Sequence, residues 1–166
     1  MLKKILLLFL LVAPLNVFAQ KFGHIRSMEI VSLMPEFTKA QTDIEAMRKQ
    51  YEDEMKRTQD ELQKKYTEYQ QEQANLPKNI QERRQKELQD LNEKGIQFRD
   101  DAQQNLQKSY QDMMEPIVKK VQDAIKAVGD TGGYTYIFDL DRTEIPYIGS
   151  TSTDITADVK EKLGLK

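Results

Sequence analysis

The sequence predicts an α+β fold in which one long antiparallel α-helical hairpin, a coiled coil, stands on a small β body. Three observations predict it. Five of the seven Gly fall in residues 129–166, whereas residues 36–128 hold only Gly95 with Pro77 and Pro116. That middle span is rich in Glu, Gln, Lys, Asp and Arg, and its apolar residues recur at steps of three and four, the spacing of one helix face. The aromatic and β-branched runs lie outside it, at the two ends of the chain.

Residues 1–20 are set apart from the fold. Lys3 and Lys4 precede an apolar run, Ile5 to Ala13, and Val17-Phe18-Ala19 offers small or modest residues for cleavage after Ala19. This is the layout of a secretory signal peptide. A membrane anchor is the alternative, but the run is too short to cross a bilayer core of roughly 30 Å as a helix. No Cys follows it to carry a lipid. Secretion follows from the signal reading.

The body is expected from residues 21–35 and 129–166. Phe22 to Ile25 reads as a short strand, and Ser27 as the cap of a helical turn reaching Leu33. Pro35 suits the first position of the long helix, with Glu36 favourable beside its N-terminus. The first arm then carries Phe37, Ala40, Ile44, Met47, Tyr51, Met55, Leu62, Tyr66, Tyr69 and Leu76 on one stripe. Asn75 to Asn79 breaks the helix. Pro77 lacks an amide donor, and either Asn can cap. The tip is therefore placed near 75–79 and the hairpin over 36–128. A continuous rod through Pro77 is the competing architecture.

The second arm carries Ile80, Leu88, Leu91, Phe98, Ala102, Leu106, Tyr110, Met113, Ile117, Val121, Ala124 and Val128. Pro116 predicts a kink, or else a helix end with a new start. Gly129 and Gly132-Gly133 are expected to stop the arm. Tyr134 to Leu140 reads as a core strand and Ile145 to Ile148 as a second one, placed at an edge by Pro146. Thr156 is expected to cap a last helix ending before Gly164. A body of this size without disulfides is marginal alone, so it is expected to oligomerise through its sheet. Phe22, Ile25, Tyr136, Ile137, Phe138, Leu140 and Ile155 are the residues expected to build it.

Composition excludes several function classes. The chain has no Cys and one His, which removes most metal sites and thiol nucleophiles. Net charge is −2, and −4 without Lys3 and Lys4, which argues against nucleic acid. No phosphate loop or nucleophile elbow is present. Asp139-Leu140-Asp141 spells an acidic pair, but Asp141 opens a turn, where Asp is common. His24 sits in the first strand and reads as packed. No catalytic residue, metal ligand or cofactor is expected.

The end motifs carry a resemblance. Ile25-Arg-Ser-Met-Glu-Ile-Val-Ser-Leu-Met-Pro-Glu-Phe37 resembles the strand, short helix and Met-Pro-Glu-aromatic start of the Skp (OmpH-like) periplasmic chaperone family. Pro116-Ile117-Val118 through Ala124 to Val128 is similar to its descending helix. Tyr134 to Asp139 is similar to its core strand, and Asp154-Ile155-Thr156 to Leu163-Gly164 to its C-terminal helix. The resemblance implies a homotrimer with three hairpins around a cavity. It implies an ATP-independent holdase for unfolded outer-membrane proteins. Well-known members are strongly basic, whereas this chain is acidic. Its tip, with Lys78, Arg83, Arg84 and Lys86 against Glu82 and Glu87, keeps a mild basic excess. Contact with lipopolysaccharide or the membrane surface stays open. A structural coiled-coil adaptor or tether of the envelope is the runner-up.

A holdase needs weak, adaptable apolar contacts, which Met and Tyr supply. Most such residues fall on the stripe and are expected in the seam between the arms. Ile96 and Met114 fall off it and are the better candidates for a client, with Tyr66, Tyr69, Phe98, Lys78, Arg83 and Arg84. Gly95 reads either as a hinge or as a small residue allowing close helix approach.

Overall fold

The computed structural model describes residues 20–165, so the signal segment read over 1–20 lies, except for Gln20, outside the described residues. Strand β1 (Lys21–Ile25) leads into helix α1 (Ser27–Leu33) and then into α2 (Pro35–Glu72). A 3-10 turn (Gln73–Asn75) precedes α3 (Lys78–Gly132). Strand β2 (Tyr134–Asp139), a loop, the two-residue β3 (Thr153–Asp154) and α4 (Thr156–Lys162) complete the chain.

The chain doubles back at Leu76-Pro77, where the backbone is extended at both residues. Neither Asn75 nor Asn79 caps a helix. Instead Gln81 Nε2 donates to the carbonyl oxygens of Gln73 and Leu76, each at 2.9 Å. A side chain one turn into α3 thus satisfies acceptors left by the end of α2. The 38 residues of α2 extend about 57 Å and the 55 of α3 about 80 Å at 1.5 Å per residue.

Helix α3 continues through Pro116, so no new helix starts there. It also continues through Gly129, which is buried, and a Cβ there would lie 2.9 Å from Ile137 Cδ1. Gly129 therefore serves the approach of β2 to the helix. The stop is Gly133, in the left-handed region at φ 66°, where its N–H bonds to the Gly129 carbonyl.

The sheet order is β2-β1-β3, with both pairings parallel. Parallel neighbours need long crossovers, and the whole hairpin is the crossover between β1 and β2. The expected strand at Ile145–Ile148 is absent. That segment is loop, Tyr147 is 81% exposed, and the second edge of β1 is taken by Thr153–Asp154 instead. Pro146 has no N–H to donate to a ladder.

The core forms where one face of the sheet meets α1, α3 and α4. Ile25, Ile30, Met34, Ile155 and Val159 are fully buried there, with Ile117 and Val121 from α3. Ser27 is the first residue of α1 rather than its cap, and Thr156 is the first residue of α4. Other carboxylates cap both helices. Asp139 and Asp141 accept from the Ser27 and Met28 amides at 3.3 and 2.7 Å, and Asp154 accepts from the Thr156 amide at 2.9 Å.

Candidate functional site

Two surfaces are built by this arrangement: the outer face of the sheet, and the sides of the hairpin. Strand alternation sends Ile25 and Ile137 toward the core and Phe22, His24, Tyr136 and Phe138 outward. Phe22 and Tyr136 are register partners, and their rings stack with centroids 6.2 Å apart and planes 7° apart. Tyr136 stacks in turn on Phe138 at 6.2 Å and 28°. Tyr136 remains 60% exposed at the centre of this ladder.

Of the residues expected to build an oligomerising body, these three face out of it. Ile25 and Ile155 have no exposed surface, so they hold the single chain together and offer nothing to a second copy. Ile137 packs on the same core. Leu140 is half-buried just past β2, and its amide donates to the Ile25 carbonyl at 2.9 Å.

Beside the aromatic ladder, His24 Nδ1 lies 2.9 Å from Ser152 Oγ, and Nε2 lies 3.8 Å from Asp154 Oδ2. Burial works against the charge on Asp154. The hydrogen bonds from Thr156, with the nearby His24 and Arg26, outweigh it and hold the carboxyl below its usual range. The cluster ties β3 and its preceding loop to β1. Asp139 and Asp141, the acidic pair of the sequence, are occupied as helix caps. Among the described residues no group of three His, Cys, Asp or Glu side chains converges on one point.

The hairpin seam holds most of the predicted stripe. Phe98 meets Tyr51 edge-on, with centroids 5.9 Å apart. Tyr69 is buried, and its hydroxyl accepts from Gln85 Nε2 at 2.7 Å. Met114 is half-buried and packs against the core at the base of the arms. Tyr66 and Ile96 stand outside the seam, exposed. Tyr110, expected inside, is exposed as well, and Ser109 takes the inward place. At 3.6 residues per turn the inward phase drifts along the arm. Here it falls one residue before the apolar one.

The charged candidates lie at the tip. Lys78 is the exposed first residue of α3. Arg83 Nε is 3.6 Å from Glu87 Oε1, and Arg84 Nη1 is 2.8 Å from Glu72 Oε2, which links the arms. Both guanidinium groups therefore have carboxylate partners. At the base, Lys120 Nζ donates to Glu36 Oε1 at 2.6 Å, and this bond holds the Glu36 carboxyl below its ordinary value of 4.5. Sequence spacing gave no sign of that pair, because its members are 84 residues apart.

Among the described residues no helix is long and apolar enough to cross a membrane. A family model described as outer membrane protein (OmpH-like) matches residues 21–163. No curated protein matches the chain.

Proposed function

Because this chain belongs to the OmpH-like outer membrane protein family, we propose that it is an ATP-independent periplasmic holdase for unfolded outer-membrane proteins. The observation that carries the reading is the hairpin closed at Leu76-Pro77, which brings β1 into one sheet with β2 and β3 and projects two paired helices from it. A client held along such arms is shielded over a large surface by contacts that are individually weak. Release then needs no nucleotide.

The proposal includes a homotrimer whose subunits meet through the outer sheet face. Phe22, Tyr136 and Phe138 form an exposed aromatic ladder there, and such ring pairs contribute about 0.5–1.5 kcal/mol beyond their buried area. Three hairpins arranged around that body enclose a cavity for the client. The acidic balance of the chain and the paired tip arginines give lipopolysaccharide no free cationic cluster at Arg83 and Arg84.

Light scattering on an outer-membrane β-barrel diluted from urea, without ATP, tests the reading, together with native mass spectrometry. A trimer that suppresses aggregation supports it. An inert monomer or dimer removes it and favours an envelope tether.

A further inference from the structure

The two sides of the hairpin differ in chemistry. The seam positions of α3 from Ile80 to Met113 are buried or half-buried. The residue after each seam position points to one side of the hairpin, and the residue before it to the other. On the first side the run includes Gln85, Gln89, Asn92, Ile96, Gln103 and Tyr110. Arg99 is the one charge of this α3 run, and its guanidinium lies 3.5 Å from Asp100 Oδ1. Helix α2 completes the same side with Gln59, Gln63 and Tyr66 toward the tip, and with Glu45, Arg48, Glu52 and Lys56 toward the base. On the second side stand Arg83, Glu87, Asp90, Asp101, Lys108 and Asp112.

The surface grooves follow the same division. A groove of about 580 Å³ places Tyr66 with Gln59, Gln63, Gln85 and Gln89. An adjoining one shares Gln59 and Asn92 and adds Ile96, with Arg99 at its border. Across the seam, the groove near the tip is lined by Lys65, Glu68, Arg83 and Glu87. The groove near the base is bordered by Glu36, Lys39, Asp43 and Lys120. Tyr66, Ile96 and Tyr110, the large exposed apolar side chains of the two arms, all fall on the first side, and Tyr66 and Ile96 lie in its uncharged tip half.

We propose that the tip half of this side, glutamine-rich and uncharged, is the client-binding face, and that it takes extended polypeptide segments of low charge through contacts insensitive to salt. The inference rests on the holdase reading and specifies its surface. An apolar segment laid against Glu and Lys strips water from charges, which is costly. Laid against Gln and Tyr, it meets a smaller cost, which hydrogen bonds to the segment's own backbone offset. An unfolded barrel strand also has unpaired backbone N–H and C=O groups. Each Gln amide offers a donor and an acceptor, whereas a carboxylate or an ammonium offers only one kind. Alternating strands of outer-membrane barrels match this mixture of apolar and neutral polar groups.

Two double variants of the full chain test the assignment. Gln89→Glu with Asn92→Glu charges the neutral side. Gln97→Glu with Asn105→Glu adds equal charge to the same helix on the other side. Affinity for a urea-unfolded outer-membrane β-barrel is read by fluorescence at low and high salt, with circular dichroism and native mass as checks on folding. The neutral-side pair is expected to bind about tenfold more weakly, about 1.4 kcal/mol, and the other pair like wild type. Wild-type affinity is expected to hold within about twofold across salt, since screening acts on charges. Equal losses in both pairs, or a steep salt dependence of the wild type, overturn the proposal. A neutral-side pair that changes only the oligomeric mass makes this face a contact between copies and also overturns it. A wild type that holds no client removes the holdase reading, and this inference with it.

Discussion

The hydroxyl of Ser27, the first residue of α1, donates to Asp139 Oδ2, on the last residue of β2, at 2.5 Å. The same carboxylate accepts from the Ser27 and Asp141 amides at 3.3 and 3.2 Å. One side chain therefore joins the chain before the hairpin to the chain after it. Asp139→Ala leaves a buried hydroxyl and the start of α1 without their acceptor. It is expected to cost about 1–3 kcal/mol, read as a lower urea midpoint. An unchanged midpoint would assign the junction to apolar packing alone.

Gly95 and Gly132 are expected to respond to Ala with opposite signs. A Cβ at Gly95 would touch only Thr58 Cγ2, at an ordinary 3.5 Å, so close helix approach does not require glycine there. Gly95→Ala should stabilise α3 by about 1 kcal/mol. At Gly132 a Cβ would fall inside the contact radius of the Tyr134 ring. Gly132→Ala should destabilise by about 1–3 kcal/mol. Thermal unfolding of the two variants measures both. Crosslinking of Gly95→Ala with and without client shows whether the arms still move apart, and reduced movement would make Gly95 a hinge.

The Glu36–Lys120 pair predicts a pH effect of defined sign. The folded carboxyl titrates below its ordinary value of 4.5, chiefly through the Lys120 hydrogen bond. Its contribution is therefore fully present above about that pH, and is lost as pH falls through the folded value. Both side chains are about half exposed, so solvent screening limits it to at most about 1 kcal/mol. Glu36→Gln should be less stable than wild type near neutrality, and the two should converge in acid. A gap that persists below the folded value would point to packing rather than charge.

Tyr136 stands at the centre of the aromatic ladder and contributes nothing to the single chain's core. Tyr136→Glu should yield monomers by native mass with helicity unchanged, because a carboxylate cannot be buried there unpaired. A trimer that survives the change would move the subunit contact elsewhere on the body.

Much of the hairpin was legible in local chemistry. Pro35 occupies the first position of α2, Pro77 marks the reversal, and the three-and-four spacing located most of the seam. Each of these signals acts within a few residues. Seam phase was read less well at Tyr110, where apolarity favoured the wrong neighbour of Ser109. The α1 cap was not legible, because Asp139 and Asp141 come from more than a hundred residues away, whereas at α4 the capping Asp154 stands only two residues before Thr156.

The amino-acid sequence by itself determined that two long helices pair and where they turn, since backbone propensity and apolar period are properties of neighbouring residues. Tertiary structure alone decided that Thr153–Asp154 is the third strand, that Asp139 and Asp141 cap α1, and that Ile25 and Ile155 face inward. Those outcomes depend on pairing between segments more than a hundred residues apart, whose register is set by the parallel sheet and by no signal within either segment.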